Sequence, residues 1–249
     1  MTAPLAVATL VFVVTLIVNA PASLLPVFVD LDEAQISYSG VSGTVWNGNV
    51  SDASIAGAPL GAVSFEVSPW SLLGFSPQIA LSMQGGAIAG EGRVTVGPGR
   101  KLSLKDSSAD IEVAAIAPRG VFGEPAFGLA KLEIRDLSVN NNVGCISADG
   151  SIWTDVLDAP AKRFNLPALP MAGAITCDRG ELLVTLFGEN ARARADITLR
   201  IDRTLAYEIT ATARPAEESV ASALRVFGFE DENGALTYGS VGVFRGTGS

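Results

Sequence analysis

The sequence contains no histidine among its 249 residues. This absence excludes Ser-His-Asp triads, Cys-His nucleophile pairs and every metal site that depends on imidazole ligands. A glycine-rich phosphate loop of the GxxxxGK[ST] type is missing as well. Carboxylate or lysine chemistry is compatible with the composition, but no residue set with catalytic spacing stands out. The sequence therefore indicates a protein that is not an enzyme, with no cofactor and no metal.

Basic residues are also scarce, because 17 Lys and Arg stand against 26 Asp and Glu, for a formal net charge of −9. Nucleic-acid binding requires clustered Lys and Arg against phosphates, so the acidic balance argues against it. The same balance argues against simple electrostatic docking of the whole protein on anionic lipid.

Charged side chains are absent from the N-terminal segment, where the first one is Asp30. Residues 5–18 (LAVATLVFVVTLIV) are almost purely apolar, and the wider uncharged run around them is long enough to span a bilayer core, for which about 20 residues suffice. A retained signal-anchor, a cleaved signal peptide ending near Ala20-Pro21-Ala22, and a buried core segment are the three interpretations. No Lys or Arg precedes the run to orient it. We expect residues 1–29 to be a membrane anchor or signal segment and residues 30–249 an exported β-rich domain.

Period-two alternation dominates the rest of the chain. In residues 191–202 (ARARADITLRID) apolar and polar side chains alternate strictly, and residues 205–214 repeat the pattern after a two-residue break. Two such runs predict an antiparallel hairpin with one apolar face. The alternation around residues 131–139 slips by one residue at Asp136, which predicts a β-bulge. Turn signals recur about every ten residues, as in a β-meander.

Helix signals are few. The best candidate is residues 215–227 (PAEESVASALRVF), with Pro215 at the first helical position and Gly228 after the last. Residues 114–122 predict a short helical turn, and residues 155–172, with three prolines, predict a loop or irregular crossover.

These patterns predict a mainly β fold: an N-terminal transmembrane helix, then a curved antiparallel sheet with about one short C-terminal helix. The sheet is expected to form a sandwich or an open half-barrel, since one helix cannot cover so many amphipathic strands. A remaining apolar face would need an occupant such as a lipid, an acyl chain or a protein partner.

The only two cysteines are Cys145 and Cys177. Export to an oxidising compartment would let them form a disulfide, and two separate buried thiols are the alternative.

The three tryptophans, Trp46, Trp70 and Trp153, each lie near glycine or proline, where strands meet turns. They are expected to anchor hairpins or the core, and a shared exposed surface for a partner is the alternative. The stretch SGTVWNG around Trp46 predicts a hairpin whose two-residue turn is Asn47-Gly48.

Two charged sets have ordinary interpretations. Asp149, Asp155 and Asp158 lack the spacing of a calcium loop and predict a solvated acidic loop. Arg192, Arg194, Arg200 and Arg203 predict a solvated strand face or cross-strand pairs with Glu208, and docking onto an acidic partner is the alternative.

Taken in order, short segments along most of the chain resemble protein N of the bacterial type II secretion system. The matching segments are Leu24-Leu25-Pro26, residues 41–48 (VSGTVWNG), Pro59-Leu60-Gly61, Phe65, residues 68–73 (SPWSLL), Cys145, residues 150–155 (GSIWTD), residues 173–177 (GAITC), Gly180-Glu181-Leu182 and residues 231–234 (DENG).

The resemblance implies a non-catalytic accessory component of the machinery that exports folded proteins across the outer membrane. It implies one inner-membrane span, a periplasmic β-rich domain, and other inner-membrane secretion components as partners. The fold is also similar to larger curved-sheet envelope proteins thought to carry lipids, so a lipid- or hydrophobe-binding envelope protein is the alternative function.

Overall fold

The computed structural model describes residues 15–16, 18–24, 36–55, 58–74, 76–116, 127–140, 142–163, 165 and 167–243. Most of the uncharged N-terminal segment, residues 1–14, 17 and 25–29, lies outside these ranges, as do residues 30–35. Among the helices that are described, none has the length and apolar character needed to cross a bilayer. The expected transmembrane helix and the boundary at residue 30 therefore stay predictions.

Fifteen strands form one antiparallel sheet in the described part of the chain. They are β1 Ile36–Ser37, β2 Gly40–Gly43, β3 Asn47–Ile55, β4 Ala58–Val67, β5 Gln78–Gly85, β6 Ile88–Gly97, β7 Lys101–Glu112, β8 Leu129–Asn140, β9 Gly144–Thr154, β10 Met171–Asp178, β11 Glu181–Glu189, β12 Ala193–Ile201, β13 Ala206–Pro215, β14 Glu230–Glu232 and β15 Ala235–Val243. From β3 to β13 each strand pairs with its successor, and the order ends β13-β15-β14, while β1 and β2 both pair with β3. The mainly β, antiparallel prediction is confirmed, and the sheet is open, because its first and last strands are not paired with each other.

The hairpin of β12 and β13 follows the sequence pattern closely. Ala195 lies opposite Ala213 and Ile197 opposite Ala211, so these apolar side chains share one face. Ala195, Ala211 and Ala213 are buried there. The predicted bulge is also confirmed, since the pairing of β8 with β9 shifts between Ile134 and Asp136.

Within the described ranges, four short α-helices connect strands. They are α1 Pro69–Leu73, α2 Val113–Ile116, α3 Asp158–Arg163 and α4 Glu218–Val226. The C-terminal helix was expected to begin at Pro215, but Pro215 ends β13, where it pairs with Ala193. The cross-strand pairing thus extends the strand, and the helix begins only after Glu217. The expected loop 155–172 contains α3, and of the expected helical turn 114–122 only residues 114–116 are described.

The first hairpin differs from its prediction. Asn47 and Gly48 belong to β3, Gly43 pairs with Gly48, and the turn comprises residues 44–46. The hydroxyl of Thr44 accepts hydrogen bonds from the backbone N–H groups of Trp46 (3.3 Å) and Asn47 (3.2 Å), which closes this turn. Gly48 is instead required for close packing, because a Cβ there would lie 2.5 Å from Cζ of Phe65.

The strands end at two distinct rims. We call the rim that carries the hairpin of β2 and β3 the proximal end, because N-terminal residues meet it there: Pro21 bridges Thr44, and the carbonyl of Ala20 accepts a 2.9 Å hydrogen bond from Val45. At the opposite rim, the distal end, α2, α3 and α4 follow their strands. Both clusters of buried core residues lie toward this end, one around Met171 and one around Leu236.

Candidate functional site

An apolar cavity of about 390 Å³ lies at the distal end, between α3, α4 and the face of β12, β13 and β15. Its volume falls within the range of roughly 300–1,000 Å³ that small-molecule sites occupy. The exposed walls are almost wholly apolar. Representative wall residues from the three sides are Leu157, Leu169, Ala195, Ala213, Ala223 and Leu224.

The cavity exists because the sheet carries alanine where larger side chains would fill the space. Ala195 and Ala213 face each other across β12 and β13, and Ala211 faces Ile197. Protein interiors are normally packed to crystal density, so three buried alanines on adjoining strands leave room that other elements must fill. α4, together with Leu157, Ala161, Pro167 and Leu169, covers this space without filling it.

Two cationic side chains lie at the opening of the cavity. Arg192 and Pro167 line both the cavity and an adjoining polar depression, which Lys162 and Asn165 also line. Nε of Arg192 lies 3.4 Å from a carboxylate oxygen of Glu217, at the start of α4. Lys162 is exposed and has no ion pair within the described residues. The opening thus combines two cations with one anion.

The other arginines of the expected basic stripe make ion pairs of their own, although Arg194 also lines the cavity. Arg194 stacks over the ring of Phe187 at 4.8 Å and lies 3.5 Å from Asp196. Arg200 lies opposite Glu208 in the sheet, yet its guanidinium bonds Asp178 (3.0 Å) and Glu181 (3.4 Å) on the two preceding strands. The expected pairing with Glu208 is therefore replaced by pairing with β10 and β11.

Ion pairs and hydrogen bonds shift four pKa values, those of Asp178, Arg200 and Asp202 at the proximal end and that of Arg225 beside α4. The hydrogen bond from Arg200 lowers the pKa of Asp178, and the reverse interaction raises the pKa of Arg200. The Thr204 hydroxyl lowers the pKa of Asp202. Asp231, followed by Glu218, raises the pKa of Arg225. Their ion pairs and hydrogen bonds hold turns, strand ends and a helix end in place, so these charged groups have a structural role.

The two cysteines form a disulfide, Cys145–Cys177, as expected, with their Cα atoms 5.7 Å apart. β9 and β10 pair only at their distal halves, Gly150 to Thr154 with Met171 to Ile175. At the proximal end the disulfide and a 2.8 Å hydrogen bond from the Cys145 N–H to the Gly180 carbonyl replace this pairing.

The tryptophans are not brought together as a group of three. Trp46 is half-buried in the first hairpin, and its carbonyl accepts a 2.7 Å hydrogen bond from Val67, three residues before Trp70. Trp70 is 80% exposed on α1, at the same proximal end. Trp153 is 38% exposed near the distal end of β9. The surface interpretation thus stays a prediction for a pair, Trp46 and Trp70.

The three aspartates of the expected acidic loop serve as hydrogen-bond acceptors and ion-pair partners. Asp155 accepts from the Leu129 N–H (2.7 Å), Asp158 accepts from the Leu169 N–H (3.0 Å), and Asp149 pairs with Arg135. The described ranges hold no cluster of acidic or cysteine side chains suited to a metal ion.

The sequence pattern does not predict the cavity, because residues 155–172 read only as a loop or irregular crossover and nothing in the pattern brings them to the C-terminal helix. The signal that points to it is the run of alanines at alternate positions of residues 191–195 and 211–213, which an ordinary core would fill with Val, Ile or Leu.

Comparison with known proteins gives one consistent result. The model of the family described as "Type II secretion system (T2SS), protein N" matches residues 34–238. The chain is 24% identical over 207 residues to a protein of Aeromonas hydrophila named "Type II secretion system protein N", and the match covers 82% of this chain and 81% of that relative. No solved structure matches the chain significantly.

Proposed function

Because the chain belongs to the family of type II secretion system protein N, we propose that it is a non-catalytic accessory or scaffold component of the secretion machinery. In this proposal residues 1–29 hold it in the bacterial inner membrane by a single span. Residues 30–249 then lie in the periplasm as one β-rich domain. The partners are other inner-membrane components of the machinery.

Three observations support the membrane topology. The apolar run of residues 5–18 has the length and composition of a targeting segment. The chain that follows it returns to the sheet at the proximal end, where Ala22 is fully buried. The Cys145–Cys177 disulfide suits an oxidising compartment such as the periplasm.

The observation that carries the scaffold role is the exposed indole of Trp70 at the proximal end. An 80% exposed tryptophan gains little from folding, whereas aromatic side chains are enriched at the centres of protein interfaces. Trp70 lies close in sequence to Val67, which is bonded to the Trp46 carbonyl, so both indoles belong to one region. A partner held in the same membrane would meet this region.

The test is recovery of partners from detergent-solubilised inner membranes with the tagged full chain as bait. We expect wild type to recover other inner-membrane secretion components. Trp70→Ala should reduce recovery by about tenfold, the size of effect that a buried interface aromatic gives. The matched control is Trp153→Ala, which removes an indole of the distal end and should leave recovery unchanged.

Trp70→Ala should melt close to wild type, because its indole is 80% exposed, whereas Trp153→Ala loses the buried part of an indole that is 38% exposed, so recovery is compared at a temperature at which both variants are folded. Recovery of no secretion component by wild type, together with normal secretion in a deletion strain, would refute the proposal. Equal loss with both variants would refute the role of the proximal end.

The alternative, a lipid- or hydrophobe-binding envelope protein, is favoured by a different observation, the apolar cavity at the distal end. The two functions are compatible, because the cavity and the tryptophan pair lie at opposite rims of the sheet.

A further inference from the structure

We propose that the distal cavity is a binding site for the acyl chain of an anionic amphiphile, with the negatively charged headgroup held at the opening by Lys162 and Arg192. This inference rests on the alternative function, lipid or hydrophobe binding at this cavity, and it does not depend on the secretion role, since it concerns residues remote from the tryptophan pair. It adds a ligand class to a surface for which neither the family nor the relative names one.

The volume argues for an occupant. Empty apolar cavities of about 150 Å³ already bind benzene or xenon, and large voids are rare in native interiors because they forfeit packing contacts. The distal cavity measures about 390 Å³. It is partly open to solvent, so its apolar walls stay exposed to water unless something apolar covers them.

The apolar walls of the cavity favour binding of an acyl chain over binding of a polar ligand. The lining includes Asn190, Arg192, Arg194 and Thr212, but the other wall residues are Ala, Leu, Ile, Val, Pro and aromatic side chains, and nearly all of the exposed wall area is apolar. The ring of Tyr238 packs against Phe229 with centroids 5.5 Å apart, and both rings line the cavity on the side of β15. A polar ligand would lose its hydration here without regaining hydrogen bonds, which costs several kcal/mol.

The positive charge at the opening favours an anionic headgroup. The protein as a whole carries −9, so an anionic ligand is repelled from most of its surface. At this opening Lys162 and Arg192 stand around one depression, and Glu217 balances only one of them. A carboxylate or phosphate is the group that a Lys and an Arg side chain bind together.

The probe is palmitic acid with a photoactivatable diazirine in its chain, presented to the full chain in phosphatidylcholine vesicles. After illumination, mass spectrometry identifies the labelled peptides. We expect label on α4 and on the segment from Leu157 to Leu169. Phosphatidylglycerol with the same chain, in a parallel sample, distinguishes a phospholipid from a free fatty acid, and label with either one supports the site.

Ala213→Phe tests the acyl-chain site by placing a large side chain in the cavity, because Ala213 is 4% exposed on the cavity floor. A phenyl group there occupies the space of the ligand, so labelling of both segments should fall about tenfold or more, as expected when apolar burial of the ligand is lost. The matched control is Ala172→Phe, at an exposed position of β10 outside the cavity. It should label like wild type.

Lys162→Gln combined with Arg192→Gln tests the headgroup and alters only exposed side chains, so it remains informative if Ala213→Phe fails to fold. Labelling by the acid should fall about two- to tenfold, the combined effect of two exposed charges. Labelling by the fatty alcohol with the same diazirine chain should not change.

Label confined to other parts of the chain, or undiminished label in Ala213→Phe, would overturn the site. Equal labelling by the acid and the alcohol in wild type would overturn the anionic headgroup. Neither result affects recovery of secretion components by wild type, so failure of this inference is distinguishable from failure of the proposed function.

Discussion

At the residue scale, Gly43 determines where the first turn begins. Its φ of 91° lies in the region that L side chains rarely adopt, and a Cβ would stand 2.4 Å from the Asn47 carbonyl oxygen. Gly43→Ala should therefore destabilise the protein by about 1–3 kcal/mol, measured by chemical denaturation. Gly40→Ala is the matched control on the same strand, because an added Cβ meets nothing within 4 Å there. Equal stability of the two variants would contradict this account of the turn.

The ion pair of Asp178 makes the stability of the protein depend on pH. Arg200 holds the pKa of Asp178 below its ordinary value of 3.8, so the ion pair adds stability above pH 3.8 and loses it as the pH falls through the lower, folded pKa. Asp178→Asn should lower the melting temperature at pH 7, and the difference from wild type should shrink on acidification below about pH 4. Asp110→Asn, on the exposed surface of β7, is the control. A difference that grew on acidification would refute the sign of this effect.

At the scale of elements, the local sequence pattern correctly predicted those strands whose tertiary contacts favour the same structure. The hairpin of β12 and β13 follows from strict alternation over residues 191–214. The first turn did not follow from its Asn-Gly signal, because packing of Gly48 against Phe65 draws that dipeptide into β3. The start of α4 was misplaced for a similar reason, since pairing of Pro215 with Ala193 extends the strand. Tertiary contacts overrode local propensity in both places.

The disulfide is the element-scale feature with the largest expected effect. It joins strands whose proximal halves are unpaired and spans 32 positions of sequence. In the chain-entropy model such a crosslink stabilises by about 3–4 kcal/mol. Cys145→Ala with Cys177→Ala should lose that amount in chemical denaturation. Reductant should shift wild type toward the double variant and leave the variant itself unchanged. Reaction of both thiols in the unfolded, unreduced protein would show that the bond does not form.

At the scale of the whole molecule, the sequence could predict many amphipathic strands but not how the sheet ends. A sandwich and an open sheet have the same alternation, and the difference depends on whether distant strands meet. The cavity escaped prediction for the same reason, since residues near Leu157 and Leu224 come together only through the order of the strands. The family itself was identified from short matching segments rather than from periodicity, and the family model confirms it over residues 34–238.

An open sheet has exposed edge strands, and its C-terminal edge is only partly protected from pairing with another chain. β14 is wholly acidic (Glu-Asp-Glu), which discourages pairing with another chain, but it covers β15 only from Ala235 to Thr237. In the described part of the molecule no strand pairs with the outer side of residues 238–243, where Val241 is 78% exposed. We therefore expect the full chain to self-associate through this edge at high concentration, as seen by light scattering in detergent.

Val241→Lys should suppress that association, because a lysine on an edge strand must lose hydration when a second strand pairs beside it. The matched control is Val143→Lys, which adds the same charge at a 65% exposed position in the turn between β8 and β9, away from the free edge. If association depends on general surface hydrophobicity, both substitutions reduce it equally, and the edge is not responsible. If it depends on strand pairing, only Val241→Lys restores the monomer, and the acidic β14 protects just the part of the edge that it covers.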